Sequence, residues 1–115
     1  MCIRDRRQGV QILDLTGRLT LNLGAEEVYL AVRAQLDQGR QSLLLHLARV
    51  SFIDSTGLGR LIASLTSAST RGAKLKLLSP SPKVEDVLKI TETDQLFEIF
   101  HDEGQALASF LTADT

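Results

Sequence analysis

A carboxylate and two hydroxyls stand side by side at Asp54-Ser55-Thr56, and two glycines, Gly57 and Gly59, come closely after them. The stretch Val50 to Gly59 lies between an apolar run and an amphipathic one, so it reads as a strand-to-helix junction. Asp54 and Ser55 are both good N-cap residues, able to accept the first unpaired backbone N–H groups of a helix. Thr56 can serve the helix start through its own hydroxyl. Capping is the commonest job of such residues, and a plain capped turn would account for them. The glycines ask for more, since each costs up to ~1 kcal/mol relative to alanine in a helix. Glycines here keep side chains off the surface and let a partner approach the helix N-terminus. Gly57 and Gly59 are therefore expected to be unhindered, and a Ser55 that acts as a switch must be at least partly exposed. An anion at that end would meet backbone donors and the positive pole of the helix dipole. As a nucleotide-binding signal, Gly57-x-Gly59 alone is weak.

Other chemistry has less material. Asp54 and Ser55 with a distant histidine could suggest a hydrolase triad, but there is no Gly-x-Ser-x-Gly elbow, and no enzyme activity is expected. His46 alternates with leucines and reads as a satisfied core or edge histidine. His101 precedes an acidic pair and reads as solvated. Cys2 is the single cysteine, which excludes an intrachain disulfide and an all-cysteine metal site. No metal site and no cofactor are expected. The 13 basic and 14 acidic residues give a net charge of −1, unlike the basic excess of a nucleic-acid binder. No direct nucleic-acid contact is therefore expected. No apolar run approaches the ~18–20 residues of a membrane span, and the first residues carry no apolar signal segment. A cytoplasmic domain with no membrane partner is the expectation.

The elements that would position the junction can be read from pattern. The chain has 115 residues, 43% of them hydrophobic, enough for one domain with one core. Met1 to Arg6 fit poorly with the rest of the chain and look like a non-native start or a disordered stretch, although Ile3 could join a short strand; they carry no functional weight. Val10 to Thr16 has apolar residues on both faces and reads as a strand covered on both sides for part of its length, broken by Gly17. Ala25 to Gln38 reads as a helix with a stripe of Val28, Leu30, Ala31, Ala34 and Leu36. Glu26 and Glu27 favour its start and Gly39 its stop. Leu43 to Leu47 is a buried central strand.

In Thr56 to Ser69, Leu58, Leu61, Ile62 and Leu65 fit the i, i+3, i+4, i+7 template of a helix. Lys74-Leu75-Lys76-Leu77 alternates at period two, which predicts a strand with one solvated face. Pro82 opens a third helix faced by Val84, Val87 and Leu88. Leu96 to Phe100 reads as a short strand, and Gln105 to Leu111 as a helix burying Ala106, Leu107 and Phe110. Strands and helices alternate, so the fold class is α/β with a largely parallel or mixed sheet.

The stretch Phe52 to Gly59 resembles the signature of STAS domains, and of bacterial anti-sigma factor antagonists in particular. Leu15-Thr16-Gly17-Arg18-Leu19 resembles the family's first motif. Ile90-Thr91 with Asp94 to Phe100 resembles its C-terminal one, and the three blocks stand in the family's order and spacing. The resemblance implies one STAS domain over residues 1–115: a small mixed sheet with helices packed mainly on one side. It also implies that Ser55 is the residue phosphorylated by an anti-sigma factor that is itself a serine kinase. Asp54, Ser55, Thr56, Gly57, Leu58 and Gly59 would then form the partner-binding surface. The unmodified antagonist would bind the kinase and release a sigma factor, phosphorylation would end that binding, and a serine phosphatase would restore it.

Two positions stand out against the pattern. The first motif usually continues to an acidic residue after Gly-x-Leu, and Thr20 takes that place here. Arg60 is a cation one helical turn beyond Ser55, expected as a solvated surface residue. STAS domains also serve as subunits bound to the ATPase of a phospholipid transporter. The intact Asp54-Ser55 pair favours the phosphorylation switch over that alternative.

Overall fold

A computed structural model describes residues 2–7, 9–21 and 23–112. Apolar residues at period two build a sheet whose strand order equals the chain order. Its strands are β1 (Cys2–Arg7), β2 (Val10–Leu19), β3 (Ser42–Ile53), β4 (Lys74–Leu78) and β5 (Ile99–Phe100). β1 is antiparallel to β2, and β2 to β5 run parallel. The crossovers carry α1 (Ala25–Asp37), α2 (Ser55–Thr70) and α3 (Pro82–Ile90), and α4 (Glu103–Thr112) closes the described chain. The expected mixed α/β sheet is thus present. Cys2–Arg7 forms the edge strand β1, with Ile3 paired to Leu13.

The pleat divides the core in two. Leu13, Leu15, Leu43, Leu45, Leu47, Leu75 and Leu77 face α1, α2 and α3. Val10, Ile12, Leu44 and Leu78 point the other way, onto Ala106, Leu107 and Phe110 of α4. Three helices on one face and one on the other match the expected asymmetry. Both faces are covered, which is why β2 and β3 read as nearly continuous apolar runs. Asp14 and His46 are register partners on the α4 face, with carboxylate and Nδ1 2.8 Å apart, so His46 has a partner. Among the described residues no helix is long and apolar enough to cross a membrane.

Several expectations are corrected by tertiary packing. Gly17 bends β2 without ending it: it takes φ +84°, open to glycine at little cost, and pairing with β3 resumes through Leu19↔Ile53 after a register shift. The α1 stripe is Val28, Val32 and Leu36, whereas Leu30 and Ala34 face water. Thr93–Gln95 forms a short 3₁₀ turn, so β5 begins only at Ile99.

The largest correction is at β4. Its alternate face is not solvated, because α4 lies over it and Lys76 is only 3% exposed. The Lys76 Nζ donates to Ser109 Oγ at 2.9 Å and pairs with Glu98 at 3.0 Å. It also lies 4.5 Å from the ring centroid of Phe110, a cation–π distance.

Candidate functional site

Parallel β2 and β3 bring their C-terminal ends together at Leu19↔Ile53. β3 then stops, and Asp54 takes an extended conformation as the N-cap of α2. Its Oδ1 accepts the Gly57 amide at 2.8 Å, satisfying one of the unpaired donors of the first turn. Its Oδ2 accepts the Leu21 amide at 3.1 Å, from the connection between β2 and α1. The Asp54 amide in turn donates to the Leu19 carbonyl at 3.2 Å. These donors stabilise the charged carboxylate. The Gly57 amide, the largest influence, pulls the Asp54 carboxyl below its ordinary pKa; desolvation opposes this and the Leu21 amide adds to it.

Ser55 is the first residue of α2, and it is exposed. Thr56 is half-buried, and Gly59 is exposed with open space where a Cβ would stand. Gly57 and Leu58 turn inward. Leu58 joins the core beneath α2. A Cβ on Gly57 would collide with the Leu19 carbonyl and stand 2.9 Å from Ile53 Cγ1. Gly57 is therefore not unhindered as expected. Its glycine lets β2 cross close over the helix start, and Gly59 alone keeps the outer surface free of side chains. The six residues thus divide: Asp54 braces, Gly57 and Leu58 pack, and Ser55, Thr56 and Gly59 reach the surface.

Arg60 is held rather than idle. It pairs with Glu26 of α1 at 2.8 Å and lies 5.1 Å from the Tyr29 ring centroid. Thr20, in the place of the expected acid, closes its backbone onto Leu23 through bonds of 2.7 and 3.2 Å. The parts missed by sequence reasoning are Leu21 and Leu23, both exposed beside the junction. Their signal is faint: two leucines within a connection where polar residues are the rule.

The STAS domain family matches residues 3–106. The chain belongs to the STAS domain family. A Thermotoga neapolitana relative named "Putative anti-sigma factor antagonist TM1081 homolog" is 39% identical over 72 residues, which is 63% of this chain and 64% of the relative. The chain thus matches just under two-thirds of that relative's length. A solved structure from Thermotoga maritima with the same kind of description superposes with TM-score 0.84 at 29% identity, covering 94% of this chain and 92% of that one. The anti-sigma factor antagonist SpoIIAA in its unphosphorylated form shares the fold, with TM-score 0.79 at 20% identity and 96% of each chain covered. The matched span includes the α2 start described above.

Proposed function

We propose that this chain is an anti-sigma factor antagonist that docks on a serine-kinase anti-sigma factor and is switched off by phosphorylation of Ser55, so regulating sigma-factor-dependent transcription. The observation that carries the proposal is the exposed Ser55 at the first position of α2, beside the braced carboxylate of Asp54. Membership of the STAS family and the names of the relatives support the same role. In the transfer, Ser55 Oγ bonds to the γ-phosphorus of ATP and the bond from that phosphorus to the β–γ bridging oxygen breaks. ADP leaves, and the hydroxyl proton passes to a base on the kinase. A serine phosphatase reverses the modification by hydrolysis. Ser55 suits the acceptor role better than Thr56 because Thr56 is half-buried.

The switch works by charge. A phosphate adds about −1.5 to −2 charges at neutral pH. Next to the Asp54 carboxylate, it crowds like charges at the contact surface and resists desolvation by a partner. The domain itself tolerates the phosphate, because a helix N-terminus favours negative charge. Binding ends while the fold persists. The docking surface comprises Ser55, Thr56 and Gly59, with Asp54, Gly57 and Leu58 shaping it from behind. The role belongs to the cytoplasm, and it needs no cofactor and no direct contact with nucleic acid or membrane.

The test is calorimetry with the cognate kinase, with and without ATP, together with phosphosite mass spectrometry. Ser55→Ala is expected to abolish phosphorylation and keep binding. Ser55→Asp is expected to weaken binding less than phosphate does, since it carries one negative charge. Phosphate found only on Thr56, or equal affinity of modified and unmodified protein, would overturn the proposal. Stable co-purification with a transporter ATPase without phosphorylation would move the assignment to a transporter subunit.

A further inference from the structure

Asp54 does more than an N-cap requires. Capping α2 uses one carboxylate oxygen, which takes the Gly57 amide. The other oxygen goes to the amide of Leu21, in another element and 33 positions away in sequence. The backbone around Leu21 is also closed on itself by the Thr20–Leu23 exchange. The connection after β2 is therefore fastened twice, once internally and once to the start of α2. Yet the side chains it carries do not pack inward: Leu21 is 69% exposed and Leu23 58% exposed. An ordered backbone here holds two large apolar side chains in water, and it is hydrogen-bonded to the residue that precedes the exposed Ser55.

We infer that Asp54 is a positioning residue for docking: its carboxylate holds Leu21 and Leu23 beside Ser55, so that the leucines and the serine meet the partner as one surface. The inference rests on the function proposed above, and the occupant is that same kinase-type anti-sigma factor. The argument for this occupant is continuity, since a single carboxylate braces both the leucine-bearing backbone and the turn that presents Ser55. The leucines supply apolar contact, and Ser55 supplies the point at which added charge breaks it. A phosphate facing an apolar rim must be desolvated on docking, which makes its charge costlier than on an open polar surface.

Asp54→Asn separates the two duties. Asparagine is also a good N-cap, so its oxygen can still take the Gly57 amide. Its NH₂ group then faces the Leu21 amide and cannot accept from it. Amide hydrogen exchange on the isolated protein reads the brace directly. Leu21 is expected to exchange about tenfold faster in Asp54→Asn, the loss of a hydrogen bond to a charged acceptor, with Gly57 little changed. Kinase affinity is expected to fall about tenfold in Asp54→Asn and similarly in Leu21→Ser, and the double variant to fall no further, as contacting parts of one unit do. Unchanged exchange at Leu21 overturns the inference whatever the partner does. Full affinity in Leu21→Ser, or losses that simply add, overturns the docking role. A wild-type chain that the kinase does not bind overturns the functional reading and the docking role together. In that case the exchange result still stands, which tells the two failures apart.

Discussion

The start of α2 and the space beneath α4 both gather polar groups, and the sheet treats them differently. At the α2 start the partners of Asp54 are backbone amides, fixed by the fold, and the Ser55 hydroxyl is left facing water. Beneath α4 the polar group is Lys76, enclosed by Phe100, Phe110, Ser109 and Glu98. At the α2 start the exposed hydroxyl lies outside the core. Beneath α4 the lysine fills a packed space, so truncating it leaves a cavity. A modifiable group is best placed where rigid backbone does the holding and the side chain is spare.

Breaking the rigid part of the site should cost most. Gly57→Ala drives a methyl into the Leu19 carbonyl, so a loss of about 3 kcal/mol is expected, at the upper end for overpacking. Urea unfolding measures it; a loss below about 1 kcal/mol would mean that β2 does not press on the helix start. Next comes the α4 side. Lys76→Ala should cost about 2 kcal/mol as a large-to-small change in a packed site. Lys76→Met, which fills the space without a charge, should stay within about 1 kcal/mol of the parent. If alanine and methionine are equally harmful, the cation and not the packing carries this face.

The spare group should show the smallest mutational effect. Asp54 and not Ser55 is the N-cap, so Ser55→Ala should shift stability by no more than about 0.5 kcal/mol, less than the loss of a cap. A loss typical of a cap, about 1 kcal/mol, would assign the serine a structural duty and blur the contrast. The last expectation concerns pH. The folded state favours ionised Asp54, whose carboxyl sits below its ordinary value because of the Gly57 amide first and the Leu21 amide as well. Its contribution is whole above the ordinary aspartate range and is lost as pH falls through the lowered folded value. Comparing acid unfolding of the parent and Asp54→Asn checks this: the two curves should converge at low pH.

Much of the fold is legible in local pattern. The run Leu43 to Leu47 and the template from Leu58 to Leu65 announce a central strand and a packed helix, because burial on those elements obeys their own periods. What pattern misses is set by distant chain. Lys74 and Lys76 alternate with leucines as on a half-solvated strand, and only the arrival of α4 encloses Lys76. Gly57 reads as a surface glycine until Leu19 crosses it. At the site, a capped helix start at Asp54-Ser55 is readable from the residue types, but they leave open which of the two caps, and the structure assigns the cap to Asp54. The hold on Leu21 spans 33 positions, and no local signal carries it.

The sheet adds its strands in the order in which they are synthesised. Leu19, Leu21, Asp54 and Gly57 all precede Thr70, where α2 ends. A ribosome that has released the chain through α2 has therefore released every group of the junction, before β4, β5 and α4 have emerged. During that interval Val10, Ile12 and Leu44 have no cover, since Ala106, Leu107 and Phe110 come last. Domains begin to fold from their N-terminal parts during synthesis, and exposed sheet faces at that stage invite aggregation. For this chain the vulnerable moment falls after the α2 junction is made, on the opposite side of the sheet, and it ends when α4 closes over it.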